Sequence, residues 1–139
     1  MSVANQIHDH QDNCLVPLIS LRMLAQGDAG TPLPRWVVVE VAQATSTVLA
    51  EAEAAGRAML TAVGLRSDHP EAGTFLRVRL DRLTTAADDA IAAAREGDAS
   101  AMCRHLRRFD ALTSAIWTVQ DAVYGVAPGQ IRAVGGTAP

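Results

Sequence analysis

Two apolar stripes of helical period meet at a Gly-Asp pair, and this junction constrains the fold more than any other feature of the chain. Gly97 is typical of the residue that ends an α-helix, and Asp98 directly after it is a good N-cap for the next helix. No linker separates the two signals. The flanking helices must therefore turn back tightly on each other as an antiparallel hairpin.

The stripes on either side of this junction define the third and fourth predicted helices. The third begins at Asp68, which heads a capping-box-like segment with a proline in its first turn, and ends at Gly97. The fourth begins at Asp98 and ends at Gly125. The apolar positions recur every three or four residues, namely Leu76, Leu80, Leu83, Ala87, Ala90 and Ala94 in the third helix and Met102, Leu106, Phe109, Leu112, Ile116, Val119 and Val123 in the fourth.

Two further helices are predicted upstream of the hairpin. A long second helix starts after the Pro-containing residues 31–34 and ends at Gly64, with one apolar face formed by Val37, Val41, Ala44, Val48, Ala52, Ala55, Met59 and Ala62. A short first helix covers residues 16–26, and its apolar residues face nearly every direction. Such a helix is either enclosed by a bundle or buried against another subunit.

The composition favours an all-α chain. Alanine, the strongest helix former, accounts for 26 of the 139 residues, whereas aromatic residues make up only 4%. Four helices with short connections predict an up-down-up-down bundle with a short first helix. We expect one helical domain over residues 14–125, with flexible segments at 1–13 and 126–139.

The stripes are rich in alanine, and this predicts a thin core. Small side chains bury little apolar surface each, and burial contributes roughly 25 cal/mol per Å². Self-association through the first helix, or along the Val-rich start of the second, would add the missing burial. The leading functional hypothesis is therefore a non-catalytic interaction or assembly module that forms a homo-oligomer or binds a protein partner.

The charge pattern argues against nucleic acid as a partner. The net charge is -3, and all 12 cations are arginine. A general nucleic-acid binder would show a basic excess or stripe. The predicted hairpin sets the arginine clusters against acidic residues, with Arg104, Arg107 and Arg108 facing Asp88, Asp89 and Glu96, and with Arg77 and Arg82 facing Asp110 and Asp121.

No targeting or membrane signal is predicted. The first 13 residues lack the basic start and apolar run of a leader peptide. The longest apolar stretch, residues 14–19, is far shorter than the roughly 20 residues of a membrane span. Cys14 and Cys103 are expected to be buried free thiols. We therefore expect a cytoplasmic protein.

An alternative function rests on five residues expected at one end of the bundle. These are Met23, Trp36, Glu40, Cys103 and His105. An imidazole beside a carboxylate, with an indole and a thioether, could form a small-molecule pocket. If the chain is an enzyme, His105 and Glu40 are the acid/base candidates. Whether it is an enzyme stays open, and no cofactor is implied.

The pair His8 and His10 is the candidate for metal binding. His8 and His10 are spaced i, i+2, but a third and a fourth ligand are not evident, so no metal site is predicted.

The segment 97–107, which contains His105-Leu106-Arg107, partly resembles the active helix of histidine phosphotransfer domains. Those domains are also helical bundles, with an exposed histidine followed by leucine and a basic residue. The resemblance implies phosphotransfer through His105. That family places small residues after the basic position, whereas this chain has Arg108 and Phe109 there.

Overall fold

The computed structural model describes residues 2–27, 33–65 and 72–124, and every regular element in these ranges is a helix. In chain order they are α1 (Val3–Asn13), α2 (Leu15–Ala25), α3 (Arg35–Leu65), α4 (Ala72–Arg95) and α5 (Ala99–Tyr124). The all-α helical bundle predicted from the sequence is confirmed, with α1 and α2 together taking the place of the first bundle helix. The predicted cap at Asp68, the stop at Gly125 and the tail 126–139 lie outside the described residues.

The structure differs from the sequence prediction at residues 3–13, where a helix replaces the expected flexible segment. Ser2 caps α1, since its hydroxyl accepts a hydrogen bond from the backbone N–H of Asn5 at 3.1 Å. The inner face of α1 is short and partly polar: Ile7 and Gln11 are buried, and Val3 packs partly against the core. A stripe of so few apolar residues gives little periodic signal.

Helices α1 and α2 are separated by the single residue Cys14, which keeps a right-handed helical conformation. Pro17, in the first turn of α2, accounts for the break. Its ring has no N–H to donate to the carbonyl of Asn13 four residues earlier, and it crowds that carbonyl. The chain therefore bends at Cys14 instead of forming one long helix.

The hairpin between α4 and α5 forms as predicted. Gly97 has a positive φ of 75°, and its N–H bonds to the carbonyl of Ala94 at 3.1 Å. The N–H of Asp98 reaches the carbonyl of Ala93 at 2.9 Å, which completes a Schellman motif. The carboxylate of Asp98 then accepts from the N–H of Ala101 at 3.0 Å. One residue thus closes α4 and opens α5.

The core is built from the predicted stripes. The buried members are Val37, Val41, Ala44, Val48, Ala52, Ala55 and Met59 in α3, all six predicted positions in α4, and Met102, Leu106, Phe109 and Ile116 in α5. Helix α3 continues through Gly56, which allows a close approach to α4. A Cβ at this position would lie 3.2 Å from a methyl carbon of Leu80. Small residues thus bring the helices close together.

Helices α1 and α2 lie between α3 and α5. On the α3 side, His10 contacts Glu51 and Ser20 contacts Glu40, so α1 and α2 run antiparallel to α3. Paired contacts on the α5 side, Gln11 with Gln120 and Arg22 with Asp110, show the same antiparallel relation. No helix in the described ranges combines the length and apolarity needed to cross a membrane.

Candidate functional site

The outer side of α2 and the start of α3 expose six large apolar side chains, which we call the apolar face. Its members and their exposed fractions are Leu15 (44%), Val16 (77%), Ile19 (53%), Met23 (70%), Trp36 (62%) and Val39 (47%). The opposite side of α2 buries Leu18, Leu21 and Ala25 in the core. Helix α2 is thus apolar on both sides, and only one side is covered within the described structure.

A groove between α2 and α3 borders the apolar face, and we call it the α2–α3 groove. It has a volume of about 230 Å³ and is lined by Val16, Pro17, Ser20, Glu40, Gln43, Ala44 and Thr47. In it, the hydroxyl of Ser20 donates to Oε2 of Glu40 at 3.0 Å. This bond fixes the carboxylate at the boundary between the two helices. The groove therefore combines apolar walls with one oriented acceptor.

Three of the five predicted pocket residues lie together on this surface. Glu40 faces Ser20 across the groove. Trp36 lies one helical turn before Glu40, and Met23 lies about one turn after Ser20. Because the two helices are antiparallel, Trp36 and Met23 occupy the same level of the bundle. Both side chains are mostly exposed.

The other two predicted pocket residues are separated from this group. Cys103 is buried against the opposite flank of α2, where its Sγ lies 3.5 Å from the carbonyl oxygen of Leu24. His105 is half-buried on α5. Two residues along a helix differ in direction by about 200°, so His105 points away from α2 when Cys103 points toward it. The structure does not gather the five residues into one pocket.

The same geometry bears on the resemblance to phosphotransfer domains. His105 is half-buried, Arg108 is exposed, and Phe109, one turn after His105, is completely buried. The large Phe109 side chain occupies a core position, so it does not obstruct the surface around His105. The bulky Arg108 is the residue that stands beside the histidine where that family has a small one.

The arginine residues do not pair across the hairpin as predicted. Among the described residues, no ion pair joins α4 to α5. Asp110, expected to face Arg77 and Arg82, instead binds Arg22 of α2, with an Nη2–Oδ1 distance of 2.9 Å. Arg77, Arg82, Arg104 and Arg108 are instead exposed on the surface.

A shallow cleft of about 230 Å³ surrounds this ion pair at the end of α2. Arg22 donates from both Nε and Nη2 to the carboxylate of Asp110. Nη1 of Arg107 donates to the carbonyl of Ala25 at 3.1 Å, which satisfies one free carbonyl at the end of the helix. The cationic groups here are engaged within the chain, which makes the cleft a structural contact between α2 and α5.

A polar cluster joins α1 to the middle of α3. Nδ1 of His10 lies 2.5 Å from Oε2 of Glu51, and the amide of Asn13 donates to Oε1 of Glu51 at 3.3 Å. Cys14 is buried beside them. Burial, and secondarily the charge of Glu51, raises the pKa of its thiol from 9.0 to about 12. A thiol held neutral in this way is a weak nucleophile.

The described residues place no further metal ligands beside His8 and His10. His10 turns toward Glu51, whereas Nε2 of His8 lies 3.9 Å from Asp12 in the next turn of α1. No group of three metal-ligating side chains occurs in the described part of the chain.

A second polar cluster lies inside the bundle, between α1 and α5. The amide nitrogen of Gln11 donates to Oε1 of Gln120 and to Oδ1 of Asp121, both at 3.2 Å. Because the carboxylate of Asp121 can only accept, the amide nitrogen of Gln11 must point toward it. The same nitrogen also points at Gln120, so Gln120 must present its amide oxygen there. Nε2 of Gln120 is buried and has no hydrogen-bond partner among the described residues. It is an unsatisfied polar atom in the core.

Sequence reasoning missed the α2–α3 groove, although a signal for it exists. Trp36, Glu40, Gln43 and Thr47 recur at spacings of four, three and four, so they form one stripe on the side of α3 that faces α2. A stripe of aromatic and polar residues beside the apolar stripe indicates the surface between the buried core and the solvent.

Comparison with known proteins identifies no relative. No protein-family model matches the chain, and neither a curated protein nor a solved structure is significantly similar to it.

Proposed function

We propose that the chain is a self-associating interaction module whose apolar face binds a second copy of itself. The observation that supports this proposal is the concentration of six exposed large apolar side chains on α2 and the adjoining start of α3. The role is binding rather than catalysis because the six side chains are apolar: their burial is favourable in free energy, and none of them can transfer a proton.

The size of the apolar face fits this role. The exposed fractions of the six side chains together correspond to on the order of 600 Å² of apolar surface. That is at the upper end of the apolar patches found on monomeric proteins. A standard interface buries about 800 Å² per partner, including its polar rim. The apolar face would form most of such an interface.

The charge pattern favours a second copy as the occupant. In a two-fold symmetric dimer, each charge in the centre of the interface meets its own kind. The stretch of α2 from Leu15 to Met23 carries one charged residue, Arg22, and Asp110 of the same chain neutralises it. This stretch of α2 can therefore meet its own copy without charge repulsion.

The spacing of the exposed residues supports helix-on-helix packing. Leu15, Ile19 and Met23 are four residues apart and form one ridge along the outside of α2. Ridges of this spacing can pack into the grooves of a facing helix. Two copies of α2 can thus pack through equivalent ridges around a two-fold axis.

We place this module in the cytoplasm. Both cysteines, Cys14 and Cys103, are buried free thiols, which suits a reducing compartment.

Sedimentation velocity from nanomolar to high micromolar concentration tests the proposal. We expect a concentration-dependent dimer that Ile19→Glu and Val39→Glu dissociate, because each puts a charge in the buried centre. Val78→Glu is the matched control, since Val78 is a valine of similar exposure (39%) on α4, outside the apolar face. A chain that stays monomeric at all concentrations would refute the proposal, and so would equal loss of the dimer in the Val78 variant.

A further inference from the structure

We infer that Trp36 of one copy inserts into the α2–α3 groove of the second copy, and that this reciprocal contact specifies the geometry of the dimer. The inference rests on the proposed self-association and adds the residue and the recess that orient it. Trp36 is the largest side chain of the apolar face, is 62% exposed, and borders a groove of its own chain that it does not line.

The position of the groove along the bundle matches that of the indole. The groove is centred near Val16, Gln43 and Ala44, whereas Trp36 lies about seven residues away along α3. At 1.5 Å per residue this separation is about 10 Å. Both features lie at the same lateral position, on the boundary between α2 and α3.

A two-fold axis connects these two features. We consider an axis that lies in the plane of the interface, perpendicular to α2, at the level of Ile19 and Ser20. Rotation about it keeps each residue at the same distance across the α2–α3 surface and reverses its position along the helices. The two copies of α2 then pack antiparallel, as the ridge of exposed residues allows. Trp36 of each copy faces the groove of the other. One axis therefore satisfies both contacts.

The dimensions and chemistry of the groove suit an indole. Its volume of about 230 Å³ exceeds the roughly 150 Å³ of a protein cavity that accommodates benzene. Val16, Pro17 and Ala44 give it apolar walls. Oε2 of Glu40 accepts from Ser20, and Oε1 has no hydrogen-bond partner among the described residues. The indole N–H, which can only donate, has an acceptor at this carboxylate.

Fluorescence of Trp36 tests the inference directly. Trp117 is the second of the two tryptophans, so Trp117→Phe leaves Trp36 as the sole reporter, with circular dichroism to verify the fold. We expect the emission of Trp36 to shift to shorter wavelength, and its quenching by iodide to fall, as the protein concentration rises through the dimer dissociation constant. The control is the Ile19→Glu variant in the same background, in which Trp36 should remain exposed at every concentration.

Substitutions on both sides of the contact give a second measurement. Trp36→Ala should weaken dimerisation about 30-fold, as for a central interface residue, and Trp36→Phe should weaken it less. Gln43→Phe should obstruct the groove and weaken dimerisation about tenfold, whereas Thr85→Phe, at an exposed position on α4, should not.

The outcomes separate the inference from the proposal on which it rests. Absence of any dimer overturns both. A dimer that Ile19→Glu dissociates, but in which Trp36 stays accessible to iodide and Gln43→Phe is tolerated, overturns the insertion of Trp36 and leaves self-association standing.

Discussion

Arg22 and Asp110 form a two-point ion pair that ties α2 to α5 at the edge of the apolar face. Nε and Nη2 of Arg22 both donate to the carboxylate, at 2.9–3.0 Å. Hydrogen bonding to Asp110 raises the pKa of Arg22 above its ordinary value, so the guanidinium stays charged. The pair thereby removes a net charge from the one helix that exposes most of the apolar surface.

Loss of this carboxylate should weaken self-association more than folding. In Asp110→Ala, each copy would bring an uncompensated Arg22 to the edge of the interface. We expect the dimer to weaken roughly 5-fold, equivalent to about 1 kcal/mol, and to become salt-dependent. Sedimentation equilibrium at low and high ionic strength measures this. The exchanged pair Arg22→Asp with Asp110→Arg should recover most of the affinity, and an unchanged dissociation constant in Asp110→Ala would contradict the argument.

Replacement of Gly97 should destabilise the hairpin through the backbone alone. The residue has a φ of 75°, and a Cβ there would meet nothing within 4 Å. Gly97→Ala should therefore lower the free energy of unfolding by about 1–2 kcal/mol, which is the cost of a left-handed conformation. Urea denaturation measures the change. Gly97→Asn should cost less, because asparagine tolerates this conformation better; equal losses in both variants would point to a cause other than the backbone.

The two buried glutamines should respond to substitution with opposite signs. Gln120→Met removes a buried donor that has no described partner and leaves Gln11 bonded to Asp121. We expect it to stabilise the fold by about 1 kcal/mol. Gln11→Met instead deprives the buried Oε1 of Gln120 of its donor and should destabilise by about 1–3 kcal/mol. Thermal or urea unfolding of the two variants decides the sign, and destabilisation by Gln120→Met would mean that its amide nitrogen has a partner in solution.

Stability should decline in the alkaline range because of Cys14. Its folded pKa of about 12 lies above the unfolded value of 9.0. As the pH rises, the unfolded chain therefore loses the thiol proton before the folded chain does. The contribution of the neutral thiol to the free energy of unfolding is complete below pH 9 and is lost as the pH rises toward 12. We expect the free energy of unfolding to fall with a slope approaching about 1.4 kcal/mol per pH unit.

Cys14→Ala provides the control for this titration. The chain has no lysine and a single tyrosine, so few other groups titrate in the same range. Urea denaturation from pH 8 to pH 11 should give a flatter profile for the variant than for the parent chain. Parallel profiles would show that the thiol does not ionise differently in the two states.

The fold was predictable from the sequence wherever a long apolar stripe has a marked end. The Gly97–Asp98 junction is the best example, because the glycine and the capping carboxylate are local signals that need no tertiary context. Helix α1 was missed for the opposite reason. Its buried face contains Gln11, whose burial depends on Gln120 far along the chain.

The candidate site was predictable only in part. The levels of Met23, Trp36 and Glu40 along α2 and α3 follow from helix order alone. Cys103 and His105 were misplaced relative to them because rotation about α5 decides which side chain faces α2. Asp110 was paired with the wrong arginines for a related reason, since a carboxylate on a helix can face either neighbour.

The rigid attachment of α2 has a kinetic consequence. Leu18, Leu21 and Ala25 hold the inner side of this helix in the core, so its outer side chains stand on a backbone that needs no ordering before it meets another molecule. Encounter should then proceed at the ordinary rate for preformed surfaces, about 10⁵–10⁷ M⁻¹s⁻¹. Changes to these side chains would act mainly on how long two molecules remain together.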